Sequence, residues 1–321
     1  MITVSACLIV KNEEKVLKRC LECLKTIADE IVIVDTGSTD GTKETAAQYT
    51  DKIYDFEWVD NFSAARNYAF SLCTMDYIYS ADADEIIDEE NIRAFTELKR
   101  ILSYDVEIVQ MVYKNQLEYN TTYNFDSELR PKLYKRLRTF KWEGRVHEAV
   151  ETAPVILDSE IEIVHKPEGL HSGRDFGLFK KAIMLDGGLS KRLRKMYARE
   201  LAVSGTDEDF ADASDYFGKA AEEETDEDSL KEDLYVLMRA SRVKKDDLSF
   251  MKYSHRALAI GATSETAYEL GEFYRLRGDE REAKIWYYNA LHETTPILNI
   301  KYGGEYAEKN ISEITGEGEE K

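Results

Sequence analysis

Apolar and polar positions change period twice along the chain. Val4 to Val10 is a continuous apolar run of strand length that stops at Lys11-Asn12-Glu13-Glu14, the pattern of a strand buried on both faces. Apolar residues then recur at helical spacing, Val16, Leu17, Cys20, Leu21 and Leu24, before Ile31 to Val34 makes a second buried run ending at Asp35. Gly37 and Gly41 permit a tight turn after it, and Ser38, Thr39 or Asp40 can cap a helix beginning at Lys43. Lys52 to Trp58 predicts a shorter strand. Asp60-Asn61 opens a helix with Phe62, Ala65, Ala69 and Leu72 on one side, and Asp76 to Ser80 predicts a further strand. This alternation with short connections predicts an α/β unit with a mostly parallel sheet, and its polar clusters fall at strand ends, where such sheets bind ligands.

Ile92 to Leu102 reads as a helix, after which the pattern becomes strand-rich. Glu107 to Tyr113, Glu118 to Phe125, Lys132 to Arg138 and Ile161 to His165 follow without intervening helices, a block expected to extend the sheet and cover its ligand edge. From Phe176 to about Ile314 the period is helical and repeats. Leu270-Gly271-x-x-Tyr274, Gly278, Ala283, Tyr287 and Ala290 fit a tetratricopeptide hairpin, with Pro296 one place late and Ala267 where Trp is common. Tyr197, Ala213, Phe217 and Ala220 share that spacing, and Leu234 to Ala257 supplies a middle unit. The organisation expected is an α/β domain over 1–174, a helical-hairpin domain over 175–315 and an acidic tail, 316–321, that is disordered.

Composition narrows the function classes. A formal charge of -20 over 321 residues argues against a general nucleic-acid binder, whose affinity comes from Lys and Arg on phosphates. No apolar stretch approaches the roughly 18 to 20 residues of a membrane span, and Met1 to Glu14 lacks a signal-type pattern, so a cytoplasmic location is expected. Cys20-x-x-Cys23 lies on helical spacing with no second Cys/His pair nearby, which favours free thiols over a zinc or redox site.

Tyr77 to Ile87 ends in Asp82, Asp84 and Glu85. Side chains two apart in an extended segment leave one face, so Asp82 and Asp84 can converge on a hard cation, Mg²⁺ or Mn²⁺. Taken alone, Asp-x-Asp more often marks a solvated acidic turn. Arg130, Lys132, Lys135, Arg136, Arg138, Lys141 and Arg145 form the strongest basic cluster; it either balances nearby acids on a solvated face or makes an anion-facing wall.

Val10-Lys-Asn-Glu13, Ile33-Val-Asp35-Thr-Gly-Ser-Thr-Asp40-Gly-Thr42, Phe62-Ser-Ala-Ala-Arg66-Asn67 and Ala81-Asp82-Ala-Asp84-Glu85 together resemble family 2 glycosyltransferases. Trp142-Glu-Gly-Arg-Val-His147-Glu148 and Ile163-Val-His165 are similar to a subgroup in which a GT-A domain precedes tetratricopeptide-like helices. The resemblance implies a GT-A fold, a nucleotide-sugar donor, most often a UDP-sugar, inversion at the anomeric carbon, and Mn²⁺ or Mg²⁺. It places Asp35 on the nucleoside, with Lys11, Asn12 and Glu13 shaping that pocket. Asp60, Arg66 and Asn67 would line the base and phosphate side. Asp84, with Asp82 beside it, would hold the metal on the diphosphate, and His165 would complete the metal shell. The acidic Glu-Asp pair that supplies the base in many family members is missing from its place; Glu148, beyond the Asp-x-Asp in the block expected to face the acceptor, is the candidate base, with a structural pairing to Arg145 or Lys141 as the alternative. Stacked hairpins make a groove that suits an extended chain, so a peptide or protein acceptor is expected, with the helices recognising it or joining homo-oligomers. Alternatives are a glycan- or lipid-linked acceptor and a non-catalytic tetratricopeptide adaptor; a nucleotidyltransferase is disfavoured because no Gly-rich basic loop follows the first strand.

Overall fold

The computed structural model describes residues 1–114, 127–150, 152–166 and 172–316. Those up to 166 form one compact unit and those from Ser172 a second. The expected boundary after residue 174 falls in the first turn of a helix, and the expected strand over 118–125 and most of the acidic tail lie outside the described residues.

The first unit is built from β1 (Val4–Val10), α1 (Leu17–Ile27), β2 (Glu30–Asp35), α2 (Thr42–Ala46), β3 (Ile53–Asp55), α3 (Phe62–Leu72), β4 (Tyr77–Ala81), β5 (Glu85–Ile86), α4 (Glu89–Ile101), β6 (Ile108–Lys114), β7 (Glu128–Lys135), β8 (Trp142–Glu143), β9 (Ala149–Val150) and β10 (Ile156–His165). Eight strands form one sheet in the order β3-β2-β1-β4-β7-β6-β10-β5, and β8 and β9 form a separate hairpin. From β3 to β4 all neighbours are parallel, whereas β7 pairs antiparallel with both β4 and β6. The continuous apolar run of β1 follows from this arrangement, because both faces of the strand are covered. Val4, Ala6, Leu8 and Val10 join Leu17, Leu21 and Leu24 of α1 and Phe95 of α4 on one face. Cys7 joins Ala69 and Phe70 of α3, with Trp142 of β8, on the other.

Two strand expectations are corrected. The run Lys52 to Trp58 pairs only over β3, since Phe56 and Trp58 turn to pack on Tyr68 and Phe62 at ring separations of 5.4 and 4.8 Å. The strand expected over 132–138 sits earlier, at β7, and Arg136–Arg138 is a 3-10 turn closed by Thr139 at φ 49. All four cysteines are free.

The second unit contains α5 (Ser172–Asp186), α6 (Lys191–Ser204), α7 (Asp207–Glu223), α8 (Glu227–Val243), α9 (Asp247–Ala259), α10 (Ser264–Arg275), α11 (Glu280–His292) and α12 (Glu305–Thr315), helices that fit tetratricopeptide-like repeats. Helices α8 and α9, and α10 and α11, pack as hairpins across short turns. Gly271 is the close-contact position of the last hairpin: a Cβ there would meet Tyr287 ring atoms at 2.5, 2.6 and 3.0 Å. Helices α6, α8 and α10 lie side by side.

The segment after α11 crosses these three helices. Glu265 of α10 accepts from the backbone N–H groups of Ile297, Leu298 and Asn299 at 3.0, 2.7 and 3.0 Å. Asn299 donates to the Ala202 carbonyl of α6 at 3.1 Å, and Tyr302 meets Tyr235 of α8 at 2.7 Å through their hydroxyls. Among the described residues no helix is long and apolar enough to cross a membrane.

Candidate active site

Strands β1 and β2 end side by side, and their following loops are stitched together. Asn12, at φ 57, accepts from the Thr39 N–H through its side chain at 2.8 Å and donates its own N–H to Ser38 Oγ at 2.9 Å. The Glu13 N–H donates to Thr42 Oγ1 at 2.7 Å. Lys11 is exposed at the rim. Beneath them Asp35 is fully buried; its Oδ1 accepts from the Gly37 and Ser38 N–H groups at 2.9 and 2.8 Å. Asp35 Oδ2 is buried without a hydrogen-bond partner. An orphaned carboxylate oxygen is costly, and a ligand N–H or O–H would satisfy it.

Strand β4 delivers the carboxylates, but not in the extended form expected. After Ala81 the chain turns, with the Glu85 N–H donating to the Asp82 carbonyl at 3.2 Å. The aspartates therefore leave in different company. Asp82 Oδ2 faces Lys132 Nζ of β7 at 3.4 Å, and its Oδ1 faces an Arg66 guanidinium nitrogen of α3 at 3.8 Å. Asp84 Oδ2 instead lies 3.2 Å from His165 Nε2. The antiparallel pairing of β10 with β5 makes this contact: it sets His165 opposite Glu85, and the Lys166 N–H donates to the Asp84 carbonyl at 2.9 Å. Among the described residues no group of three His, Cys, Asp or Glu side chains converges as a ready metal cage. Asp84 and His165 offer one oxygen and one nitrogen, two donors that could hold a divalent ion such as Mn²⁺ or Mg²⁺ if other oxygen ligands filled its remaining positions.

Cations and burial set the charge balance. Withdrawal from water would push the Asp82 carboxyl up, but Lys132 and Arg66 outweigh it and hold the group well below the usual carboxylate range. Burial pushes the Glu85 carboxyl up to about 8, against the pull of Lys132 and with Asp82 adding to the rise. Tyr113 of β6 underlies this group, its ring 5.4 Å from that of His165, 3.9 Å from the Arg130 guanidinium and 5.2 Å from Lys132 Nζ.

Arg66 is the other centre of the site. Its Nε donates to Glu148 Oε1 at 2.7 Å, another nitrogen donates to Ser80 Oγ at 2.5 Å, and the guanidinium lies 4.8 Å from the Trp142 ring centroid. The β8–β9 hairpin presents Glu148 to it, bent by left-handed Gly144 and His147 at φ 105 and 47. Asn67 has both polar atoms on Trp142 backbone, each at 2.9 Å, so it fastens α3 to β8. Asp60, at φ 54, accepts from Trp58 Nε1 at 3.0 Å. The basic cluster disperses: Lys132 joins the aspartates, while Arg136 donates to the Met75 carbonyl and Arg138 pairs with Glu107. Lys132 and Tyr113 are the members that sequence reasoning did not single out. The alternation Arg130-x-Lys132 on a strand was the available signal.

A TPR repeat-containing protein of Synechococcus elongatus is 32% identical over 161 residues, covering 50% of this chain and 38% of that protein. The SPbeta prophage-derived glycosyltransferase SunS of Bacillus subtilis is 30% identical over 149 residues, covering 46% of this chain and 34% of its own length. A lipopolysaccharide core biosynthesis glycosyltransferase, LpsC of Rhizobium meliloti, is 36% identical over 89 residues, 26% of this chain and 33% of that protein. The chain thus spans less than half the length of these curated relatives. Among solved structures, glucosyl-3-phosphoglycerate synthase from Mycobacterium tuberculosis with Mg²⁺ and UDP matches at 13% identity and a TM-score of 0.41, covering 59% of this chain and 81% of that one. The profile described as glycosyl transferase family 2 matches residues 5–178, more than half of the chain, and the chain belongs to that family.

Proposed function

We propose that the protein transfers a sugar, with inversion, from a nucleotide-sugar donor, a UDP-sugar by preference, to an acceptor in a reaction that uses Mn²⁺ or Mg²⁺. The observation that carries this reading is the meeting of Asp84 with His165 at a strand end of a family 2 domain, beside an aspartate held between two cations. Asp35 Oδ2 accepts a hydrogen bond from the nucleoside, and the Lys11–Glu13 loop, fastened to Ser38 and Thr39, walls the pocket. Asp84 and His165 hold the cation. Bound there, a divalent ion offsets the charge of the departing diphosphate. Arg66 and Lys132 add fixed positive charge on the same side, and Asp82 between them accepts from donor hydroxyls.

Glu148 was the candidate base by its place in the sequence. The geometry favours a second reading, in which it positions Arg66, because its Oε1 is committed to that guanidinium at 2.7 Å. For the acceptor, the following repeat-type helices support a peptide or protein side chain, while the similarity to a relative named for lipopolysaccharide core biosynthesis supports a glycan.

Thermal unfolding with a panel of sugar nucleotides, with and without Mn²⁺, tests the donor reading. A ligand at about 100 times its Kd stabilises the native state by about 2.7 kcal/mol. Stabilisation by UDP-sugars that requires Mn²⁺ and is lost in Asp84→Asn is the expected result. Donor binding indifferent to Mn²⁺ and to Asp84→Asn would sink it. Incubating the intact protein with labelled donor and either a peptide or a lipopolysaccharide-core acceptor separates the two acceptor classes.

A further inference from the structure

Lys132 is a lysine at 5% exposure in the middle of the carboxylate cluster. Its ammonium has three protons and three acceptors: Glu85 Oε1, the Ser80 carbonyl at 3.3 Å and Asp82 Oδ2 at 3.4 Å. The three acceptors lie on the end of β4, in the turn that carries Asp82 and Asp84, and on β5, so a side chain from β7 staples the conformation of that turn. A buried pair of this kind adds little net stability compared with apolar packing; what it fixes is geometry. Arg66 approaches the other oxygen of Asp82, with one nitrogen on Ser80 Oγ and another facing Asp82 Oδ1. Both oxygens of Asp82 thus face a cation, whereas the Asp84 carboxylate meets an imidazole.

We infer that Lys132 is a positioning residue that divides the work of the two aspartates: it holds Asp82 off the metal ion and leaves Asp84, with His165, as the metal's protein ligands. The inference rests on the metal-dependent reading of this site and adds to it a residue that touches neither metal nor donor. A divalent ion brought to Asp82 would stand beside two positive charges that already face its oxygens at 3.4 and 3.8 Å, and their repulsion would weaken its binding there. At Asp84 it meets no such competition from the imidazole, which can itself act as a ligand. Without the ammonium, Asp82 is free to rotate toward the ion, gaining metal affinity while losing its hold on donor hydroxyls.

The test is Mn²⁺ binding to the full chain without donor, read by electron paramagnetic resonance of free Mn²⁺, in a double-mutant cycle over positions 82 and 132. In the wild type, Asp82→Asn should change the Mn²⁺ Kd by less than about twofold. Lys132→Met should tighten Mn²⁺ binding, and in that background Asp82→Asn should weaken it at least about threefold, the coupling expected of neighbours that exchange partners. Lys132→Arg, which keeps the charge, should behave as wild type in Mn²⁺ affinity. In turnover assays Lys132→Met should raise the donor KM. If Lys132→Met does not fold, Lys132→Met/Glu85→Gln, which removes the pair together, replaces it in the cycle. An Asp82→Asn protein that loses Mn²⁺ as severely as Asp84→Asn, or a cycle with no coupling, overturns the inference. Unchanged Mn²⁺ binding in Asp84→Asn instead defeats the underlying metal assignment.

Discussion

Glu148→Gln separates a catalytic base from a positioning residue. The side chain is 9% exposed and that of Arg66 15%, so the pair is largely withdrawn from water. At an effective dielectric near 20, unit charges 2.7 Å apart attract by about 6 kcal/mol and charges 3.8 Å apart by about 4 kcal/mol. Most of that gross attraction is cancelled by desolvation of the ions. Glutamine keeps an acceptor oxygen for Arg66 Nε, and Asp82 still faces the guanidinium, so the net loss of stability comes to about 2 kcal/mol. For a unit of this size the midpoint of thermal unfolding falls by about 4 to 8 °C.

The kinetic signature differs between the two roles. Loss of a general base lowers kcat by about 10² to 10⁴ with donor binding intact and removes the acidic limb of the pH profile. Loss of a positioning partner loosens Arg66, raises the donor KM and leaves the shape of the pH profile unchanged. The expected result for Glu148→Gln is the second pattern, and Arg66→Gln/Glu148→Gln should be no worse than Arg66→Gln alone, because the two residues act as one unit. A hundredfold fall in kcat at unchanged KM, with the acidic limb gone, would refute the positioning argument and return Glu148 to the role its sequence position suggested.

Burial alone would raise the Glu30 carboxyl, but hydrogen bonds from Lys52, Ser5 and Thr74 outweigh it and lower the group to about 2. A depressed carboxylate stabilises the fold above its unfolded value of 4.5 and loses that contribution as pH falls toward 2; discounted for the half-exposed Lys52, it is worth about 2 kcal/mol. Urea unfolding at pH 7 and pH 3 should show Glu30→Gln costing clearly less at the lower pH. Gly271→Ala should destabilise the helical unit by about 1 to 3 kcal/mol, since its Cβ would overlap the Tyr287 ring, and urea unfolding measures it directly. Glu265→Ala leaves the N–H groups of Ile297, Leu298 and Asn299 without their acceptor, so limited proteolysis should cut between 295 and 304 where the wild type resists, with Glu265→Gln intermediate.

Much of the fold was legible because it rests on local pattern. The expected run Val4 to Val10 is β1 residue for residue, and the spacing of Leu17, Cys20, Leu21 and Leu24 marks the buried face of α1. Gly271 could be read from the repeat because close helix approach demands a residue without a side chain there. The passage of 295–304 over α6, α8 and α10 was not legible. It depends on Glu265 holding 297–299, Asn299 on Ala202 and Tyr302 on Tyr235, contacts between residues 32 to 97 positions apart, and nothing in the period of the helices signals that reach.

The site was legible in its motifs and illegible in its pairings, for the same reason. Side chains two apart share a face only while the backbone stays extended, and the chain turns at Asp82, so the inference from spacing ended where the chemistry began. What separates the two aspartates is their company. Asp82 meets a lysine 50 residues away and Asp84 a histidine 81 residues away, contacts made by the antiparallel arrival of β7 beside β4 and of β10 beside β5. The basic cluster carried Lys132 among seven residues of like charge, and only the sheet register determines which one reaches the carboxylates. The Asp-x-Asp spacing therefore leaves the task of each carboxylate open, and in the proposed site that task is set by the cation or imidazole that distant strands bring against it.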